Sequence, residues 1–112
     1  MSDRGSHFER GLDLIRRREF FEAHEELELA WRAAAAEERD FFQGLVHVAV
    51  AWYQAGRANR HGCERQLEKA VHRLGPFAPA HRGVDVAGVL AQVVRAQATV
   101  ASGSLALEPP RV

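Results

Sequence analysis

The sequence predicts an all-α fold, on three observations. Apolar residues recur at i, i+3, i+4 and i+7 along most of the chain, strand-like alternation is absent, and polar, glycine and proline punctuation cuts the periodic stretches into five segments. The expected architecture is a compact five-helix domain of two antiparallel helical hairpins, tetratricopeptide-like, plus a closing helix. Residues 1–102 form this single domain in the expectation, and residues 103–112 a loose tail.

The first helix is expected from an N-cap at Ser6 to about Arg17, with Phe8, Leu12 and Ile15 as its apolar stripe. The second is expected from about Phe20 to Ala35, with Phe20, Ala23, Leu27, Ala30, Trp31 and Ala34 on one face. The alanines from Ala33 to Ala36 favour helix but have little to bury, which puts them near a solvated end. The third helix starts near Asp40 and is apolar almost all round, so it should be central; its polar strip is Gln43, His47 and Gln54.

Gly56 to Asn59 ends that helix, and Asn59 is a cap for the fourth, whose stripe is Cys63, Leu67, Ala70, Val71 and Leu74. Gly75-Pro76-Phe77-Ala78-Pro79 stops it, because proline cannot continue a helix. Asp85 caps a fifth helix over about Val86 to Ala101, with Val86, Leu90, Val93 or Val94, Gln97 and Ala101 facing inward. Shifting the chain by forty residues lays Leu12 on Trp52, Ala23 on Cys63, Leu27 on Leu67, Glu28 on Glu68 and Ala30 on Ala70. Each half of that repeat reads as one hairpin.

A chain of 112 residues suffices for one core, and 46% hydrophobic residues is ordinary for a globular protein. No apolar run approaches the roughly 20 residues a bilayer span needs, so no membrane association is expected. The start, Met1 to His7, lacks the basic-then-apolar pattern of a secretory signal, and Cys63 is the one cysteine, which together point to the cytoplasm. Fifteen basic residues balance fifteen acidic ones, so a nucleic-acid partner is not expected. No cofactor motif is visible: there is no glycine-rich phosphate loop, Ser-His-Asp order or paired-cysteine spacing.

The chemistry-bearing cluster is His24, Glu25, Glu28, Trp31 and Arg32. At 100° per residue, His24, Glu28 and Arg32 form a ladder along the border of the second helix's apolar face, where i, i+4 side chains touch. Gln43 and His47 are expected across a cleft from it. Three readings follow from these residue types. A hydrogen-bonded tie between helices is the structural one, since buried polar groups must be paired. A binding site for a small ligand or a protein partner is the second. The third is a metal-dependent hydrolase with His24 and Glu28 as ligands, His47 as a third and Glu25 as base, although His-Glu-x-x-Glu is not the zinc-protease His-Glu-x-x-His. The leading expectation is a noncatalytic binding or interaction module. Arg65 and His72 have a spacing seen in helical ribonucleases, a loose motif. A homodimer is expected if the apolar third helix has more face than its neighbours cover.

The stretches Phe20-Phe21-Glu22-Ala23-His24-Glu25 through Trp31-Arg32, Phe42-Gln43-Gly44-Leu45-Val46, the turn from Gly56 to Cys63, and Pro79-Ala80-His81-Arg82-Gly83-Val84-Asp85 resemble domain of unknown function 309. The resemblance runs from about Phe8 to Val94 and implies a short, all-helical prokaryotic protein with no established activity. His24, Glu25, Glu28, Trp31, Arg32, Gly44 and Leu45 are the positions that match its motif. Such proteins more often carry glutamine at the position of His47.

Overall fold

The computed structural model describes residues 6–112; the expected absence of a signal segment concerns Met1 to Gly5 in part, which lie outside the described residues. Five α-helices are found among those described: α1 (His7–Arg16), α2 (Phe20–Ala33), α3 (Arg39–Gly56), α4 (Arg60–Leu74) and α5 (Val86–Ala101). The three caps expected from sequence are in place. Ser6 accepts from the Glu9 amide in a reciprocal capping box, Asn59 from Gly62 and Asp85 from Gly88.

α2 stops two residues earlier than expected. Ala34 is extended, with ψ 149°, and a single 3₁₀ turn at Ala36–Glu38 leads into α3. The alanine run has helix propensity, yet its exposed residues bury nothing that would hold another turn. Glu38 in that turn accepts from Arg82 Nε at 2.6 Å and pairs with His81 Nε2 at 2.8 Å, pinning the loop before α5.

α1 packs along α2, α2 along α3, α3 along α4 and α4 along α5. The result is elongated, 47 × 26 × 19 Å. α3 is central as expected: Phe41, Phe42, Leu45, Val46, Val48, Ala49, Ala51 and Trp52 are all buried. Phe41 meets Phe8, Phe42, Phe77 and His81 with ring centroids 4.7–5.9 Å apart, closing one end of the core. No helix among the described residues is long and apolar enough to cross a membrane.

The forty-residue repeat is visible in the backbone. Arg18 and Ala58 occupy the left-handed region at φ 62° and 60°. The turn bonds Arg17 N to Asp13 O, Arg18 N to Ile15 O and Glu19 N to Leu14 O recur as Arg57 N to Tyr53 O, Ala58 N to Ala55 O and Asn59 N to Gln54 O.

Two expectations need correction. The inner face of α5 is Val86, Val89, Val93, Ala96 and Val100, while Val94 is 54% exposed and Ala101 is exposed. Residues 103–112 are not loose. Leu105, Leu107 and Val112 pack against the core, Pro110 is buried, Trp52 Nε1 donates to the Glu108 carbonyl at 2.9 Å, and Arg111 N donates to Gln92 Oε1 at 2.7 Å. Trp52 supplies an apolar surface and a donor, which a chain end lacking helix can satisfy with its own carbonyl. The tail thus covers the Trp52 side of α3 from within the same chain.

Candidate functional site

α2 and α3 run antiparallel, and their facing borders with α4 leave a cleft of about 350 Å³. His24, Glu28 and Trp31 line it from α2, Gln43, Val46, His47 and Val50 from α3, and Gln66 from α4. Five of the seven residues singled out in the sequence are thereby brought together. Glu25 and Arg32 are exposed and do not line the cleft.

The ladder has the predicted i, i+4 geometry, and its contacts stay within α2. His24 Nε2 is 3.2 Å from Glu28 Oε2, and Arg32 Nη2 is 3.7 Å from Glu28 Oε1. Both contacts lie within α2, and at 3.7 Å the second is an ion pair without a hydrogen bond. The ties between helices are elsewhere. His7 and Arg10 on α1 meet Glu26 on α2 at 2.7 and 3.1 Å, and Arg73 on α4 meets Asp40 on α3 at 2.6 Å. The Glu26 carboxyl is held below the usual range, chiefly by the His7 hydrogen bond and then by Arg10.

His47 is the buried polar group of the site, 9% exposed. Its Nδ1 lies 2.7 Å from Gln66 Oε1, an acceptor, which assigns the ring hydrogen to Nδ1 and leaves Nε2 with a lone pair. That Nε2 is buried and has no hydrogen-bond partner in the protein. Burial pushes the His47 pKa down, with Lys69 and Arg73 adding to the effect and the Gln66 hydrogen bond opposing it, so the ring is neutral near pH 7.

A smaller, more apolar cavity of about 190 Å³ adjoins this one, lined by Phe20, Phe21, His24, Val50, Tyr53 and Gln54. His24 and Val50 belong to both. The Phe21 ring sits 5.7 Å from His24 and 5.6 Å from Tyr53.

Among the described residues no three His, Cys, Asp or Glu side chains gather as a metal ion requires. His47 turns Nδ1 to Gln66, and Glu25 lies outside the cleft, so the expected third ligand and base are not assembled around His24 and Glu28. Arg65 and His72 are exposed on α4. Sequence reasoning missed Gln66 and the apolar extension past His24.

Residues 8–66 match the model of a family described as Domain of unknown function (DUF309). The chain belongs to the DUF309 family. Every residue lining the cleft lies inside the matched DUF309 segment, whereas Pro79 to Asp85 and α5 lie outside it. No curated protein and no solved structure matches the chain.

Proposed function

We propose that this DUF309 protein is a noncatalytic binding module whose ligand site is the cleft between α2, α3 and α4. The observation that carries the reading is His47: a buried ring nitrogen without a partner, in the wall of a cleft that also holds a carboxylate and an indole. A buried acceptor left unpaired costs about 1–3 kcal/mol, which a bound donor recovers. The ladder does not join helices, so its side chains are not committed to holding the fold.

The test is amide chemical-shift mapping with four small fragments that differ in charge and shape: hexylamine, hexanoate, hexanamide and indole. Shifts concentrated at Glu28, Gln43, His47 and Gln66 for any of them support a ligand site. Scattered shifts with none in the cleft would sink it. Glu28→Ala supplies the second check: it should melt within a few degrees of the parent protein while abolishing those shifts. A loss of several kcal/mol would instead make Glu28 a structural residue.

A further inference from the structure

A wider groove of about 540 Å³ crosses α4 from α3 to α5. Gln43 and His47 line it from α3, Lys69, Val71 and Arg73 from α4, and Gln97 from α5. It shares Gln43 and His47 with the cleft described above but has charges of its own. Lys69 is exposed, and its ammonium has no hydrogen bond or ion pair among the described residues. The side-chain amides of Gln43 and Gln97 are equally uncommitted. Arg73 gives Nη1 to Asp40 at 2.6 Å, which leaves the N–H groups of Nη2 and Nε to donate elsewhere.

The charges of this groove separate by direction. Lys69 and Arg73 stand about 40° apart around α4 and one turn, about 6 Å, apart along it. Gln66, which bonds His47, lies within about 20° of Arg73, on the flank that faces α3. Glu68, the carboxylate of the lining, lies about 140° round from Arg73, on the other flank. The charges that bear on His47 are accordingly Lys69 and Arg73, both positive. Asp40 offsets Arg73 in part, and Lys69 has no such offset. Cations in the last turn of a helix compensate its dipole, which accounts for Arg73. Lys69 precedes that turn, so the dipole does not account for it.

An ammonium and a guanidinium fork one turn apart, with an amide donor on the facing helix, match a doubly charged oxyanion better than a singly charged carboxylate. We infer that this groove holds the phosphate group of a small phosphomonoester: Lys69 and Arg73 balance its charge, the Gln43 amide donates to it, and the organic part extends over Val71 toward Gln97. The site stands apart from the ligand proposed for the cleft, since neither Glu28 nor Gln66 lines it.

Titration of the intact protein with inorganic phosphate, glycerol 3-phosphate and acetate tests this, followed at the amides of Gln43, Lys69, Arg73 and Gln97 with sodium chloride holding the ionic strength constant. Both phosphates should move Gln43, Lys69 and Arg73 and saturate, and glycerol 3-phosphate should move Gln97 as well. Acetate should bind about tenfold more weakly, or worse, because it brings one charge and two oxygens. Lys69→Gln should weaken phosphate about tenfold with an unchanged melting temperature, since it removes one charge-assisted hydrogen bond at an exposed position. Arg95→Gln, an equal loss of charge on α5 outside this lining, should change phosphate binding by less than about twofold. Sulfate, which keeps both charges as pH falls, should raise the pH at which the His47 ring protonates, because it offsets the two cations beside that ring.

Acetate binding as tightly as phosphate would overturn the phosphate assignment. Shifts that chloride alone reproduces, or equal losses from Lys69→Gln and Arg95→Gln, would show a diffuse field in place of a site. An unmoved His47 titration would put the anion away from Lys69 and Arg73, and an unmoved Gln97 with glycerol 3-phosphate would overturn the placement of the organic part. If no anion moves Gln43, Lys69 or Arg73, the groove is no anion site, whatever the fragments show at Glu28 and Gln66.

Discussion

His47 keeps a neutral ring because α3 buries it against α4, where Lys69 and Arg73 add positive charge nearby. The consequence for stability has a definite sign. The unfolded chain protonates this histidine near pH 6.5, while the folded chain resists until a lower pH. Between those values the unfolded state holds more protons, so His47 makes stability fall as pH drops below about 6.5, by up to about 1.4 kcal/mol per pH unit. Glu26, whose pKa is lowered, acts in a separate window, its contribution present above about 4.5 and lost below it. Urea unfolding at pH 7.5, 6.5 and 5.5 should show the His47 slope, and His47→Gln should flatten it; an identical slope in both proteins would refute the burial effect. Cys63 is governed the same way. It is fully buried, and burial, with Glu64 beside it, pushes the thiol pKa up. Ellman's reagent at pH 8 should leave the native protein unlabelled over minutes and label one thiol in guanidinium. Rapid native labelling would mean that α4 opens readily.

Helix pairs in this fold meet through glycine where the sequence shows only a small residue. A Cβ added to Gly44 on α3 would stand 2.5 Å from Leu74 Cγ on α4, whereas one added to Gly56 meets nothing within 4 Å. Gly44→Ala should therefore cost about 1–3 kcal/mol through overpacking, despite a helix-propensity gain of up to about 1 kcal/mol. Gly56→Ala should leave stability unchanged or raise it by a few tenths of a kcal/mol up to about 1. Denaturant midpoints with unchanged m-values would read both, and a stabilised Gly44→Ala would show that the α3–α4 contact is loose. The same contrast explains what was legible in the sequence. The caps at Ser6, Asn59 and Asp85 could be read because a short polar side chain there has one local job. The end of α2 could not, since the alanine run signals propensity and only tertiary packing decides whether another turn is worth forming. On α5, Val93 and Val94 differ by 100° of rotation, and the neighbouring helix chose between them. The border ladder of α2 followed from angles alone. Gln66 needed the repeat: His7 Nδ1 to Glu26 Oε1 and His47 Nδ1 to Gln66 Oε1 are both 2.7 Å, each spans nineteen residues, and the two lie forty apart. A forty-residue shift of Glu26 points to Gln66 once His7 is paired with it.

Across the whole molecule, a layer of helices only 19 Å thick in its shortest dimension has little interior, and each apolar face must find a cover. α3 spends its faces on α2 and α4, which leaves Trp52 to be closed by the last ten residues. That segment forms no helix, yet it places Leu105, Leu107 and Val112 on the core and offers the Glu108 carbonyl to the indole N–H at 2.9 Å. Its attachment at the far end is polar, with Gln92 on α5 accepting from Arg111 N and donating to Arg111 O at 2.7 and 2.8 Å. Three partly buried apolar side chains and a satisfied indole together contribute about 2–4 kcal/mol. Ending the chain after Ser102 should then lower Tm by about 10 °C or more. In a Trp31→Phe background, where Trp52 is the remaining indole, the truncation should also shift fluorescence to the red as the ring meets water. The cleft lies on the α2 side of α3 and shares no lining residue with the tail, so any fragment shifts at Glu28 and His47 should survive truncation at temperatures where the protein is folded. An unchanged Tm together with unchanged emission would place the tail off the core in solution, and α3 would then present Trp52 as an open face for another chain to cover.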